Sequence, residues 1–566
     1  MQLAREGRVE EALSAIRMQV RLRPRDDHVA SMLGLLLRRA GDPTQGLQHL
    51  RRACDLAPQN PLHWLNLAAS QFADGLSRDA RAGFERAIAL APDHAGGWMG
   101  LANCDLLAGD VDEALRSSAR GLDLAPDVGM HVNTRVTVLV RAGRRAEAMD
   151  LLEGFVARHP ADAAMRSELL MGLQYVERDP AAVAQAHRGY GEHLPRPDPP
   201  RFTRRPGDAL RVGLLSADLR AHSVGFFVQS LVEHAPAGVE LVAFSGAPQP
   251  WADDVTARLR ARCRRWHEVG AMDDATLDAL IRSERIDVLL ELNGHTTGHR
   301  LAAIARKPAP VIVTAIGYPD TTGLPAVDAR LVDSITDPPG TEDRCTERLI
   351  RLDPCFLCYT PPDEAPEPRM PPADAPLTFG SFNNASKIGP STVRLWARVL
   401  TAVPSSRLLV KSAGLSDRLT RGSLLQAFAA EGIDAARIET LDLTAGRREH
   451  LDAYARVHVA LDTTPYNGTT TTCEALWMGV PVVALLGDRH AARVSASLLR
   501  AGGFGQWVAS DPDGFAAIAA GLASDRAELE RLRGSMRERL LASALLDGRV
   551  HAQRTFAALE SLRARA

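Results

Sequence analysis

A strict spacing of 34 residues organises the first third of the chain. Five prolines follow one another at that interval: Pro24, Pro58, Pro92, Pro126 and Pro160. Five glycines keep the same interval: Gly7, Gly41, Gly75, Gly109 and Gly143. A column of small residues runs in phase with both: Ala12, Gly46, Ala80, Ala114 and Ala148. Three columns in phase predict a small structural unit that is repeated along the chain and buries its apolar surface against its neighbours.

The repeated unit is predicted to be a pair of amphipathic helices. Each glycine falls between the two helices, where a tight turn requires a permissive backbone, and each proline begins the turn before the next pair. A period of 34 is that of the tetratricopeptide repeat, so we predict a superhelical array over residues 1–175. The first repeat is incomplete, because Gly7 leaves little room for its first helix. Such arrays hold extended polypeptide in a concave groove, so the predicted partner is a protein.

After Val176 the repeat is lost and a different pattern begins. Residues 176–208 are predicted to form a helix and a connector rich in proline and arginine. Short apolar segments then alternate with helical stretches in two regions, 209–370 and 371–566, with a proline-rich connector at 361–376. The predicted strands are 210–215, 239–244, 286–292, 311–316, 329–332, 377–382, 408–410, 457–461 and 480–485. This alternation predicts an α/β protein in which two Rossmann-like lobes with parallel sheets enclose a cleft.

Composition narrows the class of protein. The formal net charge is -2 and the pI is about 6.8, which gives no electrostatic argument for binding nucleic acid or a membrane. Seven cysteines suit a reducing compartment, and the lone pair Cys355 and Cys358 lacks the further ligands of a zinc site. The N-terminus is too charged for a signal peptide, and no segment is long and apolar enough to span a membrane. We therefore expect a soluble, cytoplasmic protein.

One loop has the composition of an anion-binding site. The apolar segment 457–461 ends at Asp462, and the chain then passes through Pro465 and Gly468 into four threonines at a predicted helix start. Helix N-termini favour anions such as phosphate, and parallel sheets place ligands at the carboxyl ends of their strands. Alternatively, the threonines only cap an ordinary helix. Four other loops at predicted strand ends have a similar polar composition: 216–223, 293–298, 317–323 and 382–388.

These loops carry motifs that resemble those of the O-linked N-acetylglucosamine transferases of proteins, glycosyltransferase family 41. The motifs lie at 292–296, 306–310 with 316–319, 380–384 with 387–388, and 461–463 through 467–468 to 477–481. The resemblance covers essentially the whole chain and implies a GT-B fold of two lobes after the repeats. It implies inverting transfer of N-acetylglucosamine from UDP-GlcNAc to Ser/Thr hydroxyls of proteins, without a required metal or other cofactor.

The resemblance also implies roles for individual residues. Its donor-binding positions match Gly317, Pro319, Asn384, Lys387, Arg447, His450, Thr469, Thr470, Thr471 and Glu474. Lys387 matches the family's phosphate lysine, whose mobile ammonium can follow the charge that builds on the leaving β-phosphate. Thr470 and Thr471, with the N–H groups at the helix start, are implied to hold the same phosphates. The chemistry of a mobile ammonium and the resemblance therefore both favour Lys387 as a catalytic group.

The remaining implied contacts concern the nucleoside and the reacting sugar. His450 matches the residue that stacks on uracil, Arg447 the basic residue near the ribose, and Glu474 a residue that accepts hydrogen bonds from ribose hydroxyls. His222 matches a histidine near the reacting sugar, and imidazole is a suitable general base near neutral pH. Two roles stay open for His222: catalytic base, or support of the sugar while a donor phosphate or a water chain takes the proton.

The sequence also departs from the family pattern. Thr469 stands where human-type members have histidine, and Glu474 stands where they have aspartate. The short connector leaves no room for the large insert of animal members. The asparagine ladder of the repeat groove is nearly missing, since Asn66 fits it while Gly100 and Thr134 fill the next positions. The family's recognition of particular substrate proteins therefore cannot be assigned to this chain.

Three alternative functions remain compatible with the sequence. Plant SPINDLY-type relatives share this architecture but move fucose from GDP-fucose to proteins. Bacterial N-glucosyltransferases share related lobes. A third alternative belongs to another class: a tetratricopeptide scaffold with an inactive transferase domain.

Overall fold

A computed structural model of the chain describes residues 9–194, 198–202, 207–247 and 253–565. These residues form two compact units. The first contains the repeats up to His159 together with Ser416–Ser423, and the second contains Pro160–Leu415 and the chain from Leu424 onwards.

The first unit consists of helix pairs. Its helices are α1 (Val9–Leu22), α2 (Asp27–Arg39), α3 (Pro43–Leu56), α4 (Pro61–Ala73), α5 (Ser77–Leu90), α6 (Ala95–Ala108), α7 (Val111–Leu124), α8 (Gly129–Arg141) and α9 (Arg145–Arg158). Gly41, Gly75, Gly109 and Gly143 occupy the turns within pairs with φ of 87°, 76°, 78° and 76°. A side chain strains the backbone in this left-handed region, which explains the glycine column.

The other two columns also have physical causes. In the small column, Ala80 and Ala114 are fully buried, so larger side chains there would separate the helices. At the proline column, the carbonyls of Pro58 and Pro92 accept hydrogen bonds from the indoles six residues later, Trp64 and Trp98, at 3.0 and 2.8 Å, which ties each turn to the following helix. The predicted all-α repeat region is confirmed.

The second unit begins with two helices, α10 (Ala163–Leu173) and α11 (Pro180–Gly191). The repeat period assigns α10 to the predicted array 1–175, yet by its contacts α10 belongs to the second unit. Its partners there are loops of the first α/β lobe, as described below. The residue limits of the four predicted domains, 1–175, 176–208, 209–370 and 371–566, stay a prediction.

The first lobe is a seven-stranded parallel sheet in the order β3-β2-β1-β4-β5-β6-β7. Its elements are β1 (Leu210–Ser216), α12 (Ser223–Glu233), β2 (Val239–Ser245), α13 (Asp254–Arg262), β3 (Arg265–Glu268), α14 (Asp274–Ser283), β4 (Val288–Glu291), α15 (Leu301–Ile304), β5 (Val311–Thr314), β6 (Ala329–Val332) and β7 (Arg348–Arg351). The strand order reverses between β1 and β4, which opens a crevice at their carboxyl ends.

The second lobe repeats this plan with six parallel strands in the order β10-β9-β8-β11-β12-β13. Its elements are β8 (Thr378–Ser381), α16 (Pro390–Ala402), β9 (Arg407–Lys411), α17 (Arg418–Ala430), β10 (Ile438–Leu441), α18 (Arg447–Asp452), β11 (Val459–Leu461), α19 (Thr470–Trp477), β12 (Val482–Leu485), α20 (Val494–Ala501) and β13 (Val508–Ala509). Three helices end the chain: α21 (Pro512–Ser524), α22 (Arg526–Leu541) and α23 (Gly548–Arg563). The reversal here lies between β8 and β11.

The predicted fold class is confirmed, and all nine predicted strands are present with shifted ends. Four strands that the sequence did not predict are β3, β7, β10 and β13, which are the edge strands of the two sheets. Central strands of a parallel sheet are buried on both faces and form apolar runs, whereas an edge strand such as β3 is partly exposed and carries polar residues. In the described part of the chain, no helix combines the length and apolarity needed to cross a bilayer.

Candidate active site

Asp462 organises the loop between β11 and α19. Its carboxylate is buried at the end of β11 and accepts the backbone N–H of Gly468 at 2.7 Å. The side-chain amide of Asn383, from the end of β8, approaches the same oxygen at 3.4 Å. The second oxygen, Oδ2, is buried without a hydrogen-bond partner. Burial raises the pKa of Asp462 to about 6, although hydrogen bonds and Lys387 oppose the rise.

Lys387 reaches the same loop from the other side of the sheet reversal. It ends a short 3₁₀ turn, Ala385–Lys387, that follows β8. Its Nζ donates to the carbonyl of Asn467 at 2.6 Å and lies 3.8 Å from the centre of the Tyr466 ring. Burial lowers the pKa of Lys387 to about 8, while the Asp462 charge opposes this fall. The site therefore holds a poorly solvated cation that gains stability from an anion.

The four threonines do not act as ordinary caps. Thr469 occupies the N-cap of α19 but makes no side-chain cap bond. The hydroxyl of Thr470 is buried and has no hydrogen-bond partner. Thr471 donates to Asn383 Oδ1 at 2.8 Å, and Thr472 pairs with Ser495 at 2.9 Å. The arrangement leaves the first N–H groups of α19 and the Thr470 hydroxyl for a ligand, as the anion-binding interpretation predicts.

A buried polar chain adjoins this helix start. Glu474 Oε2 lies 3.1 Å from His450 Nε2, and His450 Nδ1 lies 2.7 Å from Lys411 Nζ. Lys411 ends β9 and is 1% exposed. Burial lowers its pKa, and the charges of Glu474 and Asp442 oppose that effect. The chain fixes the imidazole of His450 at the rim of an aromatic wall formed by Phe382 and Tyr454.

Arg447 links the two lobes. It begins α18, and its guanidinium carbon lies 3.7 Å from the centre of the Phe226 ring on α12 of the first lobe. Its Nε and Nη2 atoms are buried without a hydrogen-bond partner. Asn384 differs from the other predicted second-lobe residues, because its side chain is exposed and caps the turn Ala385–Lys387 by accepting from Ser386 N at 2.9 Å.

In the first lobe, a chain of polar side chains leads to His222. His222 is the N-cap of α12 and its Nδ1 lies 3.6 Å from Asp218 Oδ1. Asn293, after β4, donates to Asp218 Oδ2 at 3.1 Å and accepts from the Ala217 N–H at 2.9 Å. Glu291 accepts the Asn293 N–H at 2.8 Å. Two strand-end loops are thus joined on either side of the sheet reversal, and the join places Asp218 beside His222.

The environment of His222 favours the neutral imidazole. Surrounding protein atoms lower its pKa, the Asp218 charge opposes this, and Arg220 acts in the same direction as burial. The described contacts of His222 all lie in the first lobe. A neutral imidazole beside a carboxylate can accept a proton and be stabilised once charged.

The loop with Gly317 and Pro319 is strained and tightly packed. Ile316 has a φ of 68°, which is costly for a β-branched residue and is retained only where the surroundings enforce it. A side chain on Gly317 would meet the carbonyl oxygen of Leu292 at 1.9 Å. Pro319 is buried. Between them, the Tyr318 hydroxyl donates to Leu170 O of α10 at 3.0 Å, so the last repeat helix holds this loop in place.

The structure therefore groups the predicted residues by lobe. Around the second-lobe sheet reversal lie Asn384, Lys387, His450, Thr469, Thr470, Thr471 and Glu474. Arg447 faces Phe226 of the first lobe, and His222, Gly317 and Pro319 follow strands of that lobe. Asp462 was noted as the start of the anion-binding loop, but sequence reasoning gave no role to several other supporting residues: Asp218, Glu291, Asn293, Asn383, Lys411 and Tyr466. Most lie in the strand-end loops already noted, and buried acidic or amide residues directly after apolar runs were the available signal.

Potential metal ligands cluster elsewhere. Among the described residues, one group of three could hold an ion, Asp27, His28 and His63, and it lies in the helical repeats. The prediction that the reaction requires no metal stays a prediction.

Comparison with known proteins assigns the lobes and the repeats. A family model for glycosyl transferase family 41 matches residues 196–359 and 369–555, and tetratricopeptide models match 28–70 and 65–128. The chain belongs to glycosyl transferase family 41. The family and repeat predictions are confirmed.

Individual relatives agree with that assignment. The chain is 39% identical over 396 residues to a barley protein, Hordeum vulgare, named as a probable UDP-N-acetylglucosamine–peptide N-acetylglucosaminyltransferase SPINDLY. The match covers 67% of this chain but 41% of the relative, so the chain spans less than half the length of that protein. A similarly named Arabidopsis thaliana protein, SEC, is 28% identical over 60% of this chain and 35% of its own length.

A solved structure of the Thermobaculum terrenum O-GlcNAc transferase, a point mutant, is similar over most of the chain. It aligns with a TM-score of 0.81 and 33% identity, covering 89% of this chain and 97% of the other. The order of repeats and lobes is therefore that of a bacterial relative.

The carboxylate of Asp218 should raise the pKa of His222. In Asp218→Asn, the charge that raises the pKa of His222 is lost, so the imidazole should titrate at lower pH than in the unaltered protein. Proton–carbon NMR of ring-labelled histidine measures this, with the His222 signal identified by its loss in His222→Gln. Asp513→Asn, an exposed control, should leave the midpoint unchanged. A midpoint that stays constant or rises in Asp218→Asn contradicts the assignment.

Proposed function

We propose that the protein transfers N-acetylglucosamine from UDP-GlcNAc to Ser/Thr hydroxyls of proteins with inversion at the anomeric carbon. The observation that carries the proposal is the half-buried ammonium of Lys387 on the loop that leads into α19, together with the unpaired Thr470 hydroxyl at the start of that helix. This group of donors suits a diphosphate, because each member is left poorly satisfied without an anion. Family membership supports sugar transfer as the reaction.

The reaction breaks the bond between the anomeric carbon and the β-phosphate oxygen. The acceptor oxygen attacks the opposite face of the sugar, and negative charge grows on the departing diphosphate. Lys387 would neutralise that charge, and a preorganised cation in a site shielded from water acts more strongly than it would in solvent. The Thr470 hydroxyl and the first N–H groups of α19, that of Thr471 included, would share the remaining phosphate oxygens. These residues supply the charge stabilisation of a metal-independent mechanism.

The acceptor proton must leave as the new bond forms. His222 is the candidate base, because its lowered pKa keeps it neutral at physiological pH and Asp218 can stabilise the imidazolium. Its alternative role is to position the sugar while a donor phosphate takes the proton. His450, Arg447 and Glu474 would hold the nucleoside, and the tetratricopeptide array would bind the protein acceptor.

GDP-fucose is the second candidate donor. The resemblance to plant SPINDLY-type proteins implies it, and identity is higher to the barley protein of that name, 39%, than to SEC, 28%. Thr469, which replaces the histidine of human-type members, supports a difference at the sugar subsite. UDP-GlcNAc and GDP-fucose differ in both base and sugar, so an experiment that compares the two donors can distinguish them.

Donor choice is tested by thermal protection and labelling. The protein is heated with UDP-GlcNAc, GDP-fucose or UDP-glucose, and UDP-GlcNAc should raise the unfolding temperature most, because a ligand that binds only the folded state stabilises it. When the donor carries a labelled sugar, UDP-GlcNAc should also be the donor that labels the proteins of a bacterial lysate. Protection and labelling by GDP-fucose alone would establish the second candidate, and protection without labelling by any donor would favour the inactive scaffold.

Substitution separates leaving-group stabilisation from proton transfer. Lys387→Ala should lower kcat about 100-fold to 1,000-fold at saturating donor, because the charge it neutralises is largest in the transition state. His222→Ala should nearly abolish transfer while donor binding stays measurable. The surface variant Arg531→Ala is the control for both. A defect of Lys387→Ala confined to donor affinity, or full turnover in His222→Ala, would contradict the respective role.

A further inference from the structure

The ammonium of Lys387 rests on an aromatic ring as well as on a carbonyl. Its Nζ lies 3.8 Å from the centre of the Tyr466 ring, within the range of a strong cation–π contact, and donates to Asn467 O at 2.6 Å. Asp462 is the carboxylate whose charge acts on Lys387. Two adjacent residues of one loop, Tyr466 and Asn467, therefore define where the ammonium lies.

The loop holds Tyr466 in a fixed place. Its carbonyl accepts the Thr463 hydroxyl at 2.6 Å, and the next residue, Asn467, donates its backbone N–H to Ala491 O at 2.9 Å. The Asn467 side chain donates to Thr463 O at 2.8 Å. These bonds close the loop on itself and against the chain after β12, so they fix the backbone that carries the Tyr466 ring.

A second ring supports the first from the end of the repeats. Tyr175 follows α10, and its ring centre lies 5.3 Å from that of Tyr466 at an interplanar angle of 34°. The buried guanidinium of Arg489 donates to three carbonyls of this segment, Leu173, Gln174 and Val176, at 3.0, 3.2 and 2.7 Å. Arg489 thereby fixes the backbone on both sides of Tyr175.

We propose that Tyr466 is a positioning residue for Lys387, and that Tyr175 holds its ring against the ammonium from the end of α10. An ammonium taken out of water needs compensating partners, and an aromatic face provides one without accepting its protons. The ring contact is not directed along a single N–H bond, so the proton that Nζ donates to the Asn467 carbonyl can be donated to a phosphate oxygen instead while the ring contact persists. This last step rests on the proposed function, whereas the ring–ammonium contact does not.

The proposal is testable because the chain contains three lysines, Lys307, Lys387 and Lys411. Protein labelled with carbon-13 at lysine Cε gives few signals, and the Lys387 signal is identified by its loss in Lys387→Arg. In the unaltered protein this signal should titrate at about pH 8. In Tyr466→Leu the midpoint should fall by about 0.4 to 1.5 pH units, because the ring no longer favours the charged form.

Matched variants distinguish the ring from the hydroxyl. Tyr466→Phe keeps the aromatic face and should titrate near the original midpoint. Tyr175→Leu should shift the midpoint in the same direction as Tyr466→Leu but less, since the first ring remains. Lys307 is paired with Asp328, away from this loop, and its unchanged signal confirms that each variant is folded. If Tyr466→Leu does not fold, Tyr466→Met removes the ring with a more adaptable side chain.

A midpoint that is unchanged or raised in a folded Tyr466→Leu or Tyr466→Met protein would overturn the positioning role, and an unchanged midpoint in Tyr175→Leu would overturn the supporting one. The titration uses no donor, so a protein that transfers no sugar can still confirm the ring contact. If transfer does occur, the alkaline fall of kcat/KM, which reports the free protein, should move with the midpoint in each variant, and a merely structural role would not produce this shift.

Discussion

The second-lobe site depends on the contacts of one buried carboxylate, that of Asp462. It accepts the Gly468 N–H and approaches Asn383, so it holds the loop after β11 against the end of β8. Its charge also partly compensates the desolvation of Lys387. Since two opposite charges in a poorly solvated place are each costly alone, each of these two groups stabilises the charged form of the other.

A second set of contacts attaches α10 to both lobes within the second unit. Tyr318, in the strained first-lobe loop, donates to Leu170 of α10, and Arg489 of the second lobe binds carbonyls just after the same helix. Both lobes therefore contact the end of α10, which explains why this helix groups with the lobes although its spacing belongs to the repeats. Loops from both sheets depend on one helix for their position.

The sequence predicted those parts of the molecule that follow from local patterns. The repeat period, the central strands and the polar loops after them could be identified, because periodicity and burial leave direct traces in residue order. The edge strands β3, β7, β10 and β13 could not, because partial exposure removes the apolar run. Lys387 and Thr470 were identified through motifs, whereas Tyr175 lies near Tyr466 only after folding, and no local pattern reveals such a contact. Asp218 and Asn293 were within noted loops, but their join across the sheet reversal depends on strand order.

The most direct test of the central claim, that Lys387 neutralises the donor diphosphate, is to count the protons taken up when the nucleotide binds. Calorimetry at about pH 8.5 with UDP or GDP, whichever base the transfer assay selects, is repeated in two buffers of different ionisation enthalpy. In the protein without nucleotide, Lys387 has a pKa of about 8 and is largely neutral at about pH 8.5. A bound diphosphate favours its charged form. Binding should then take up about half to three quarters of a proton in the unaltered protein and markedly less in Lys387→Met. Equal uptake in the two proteins would contradict the account.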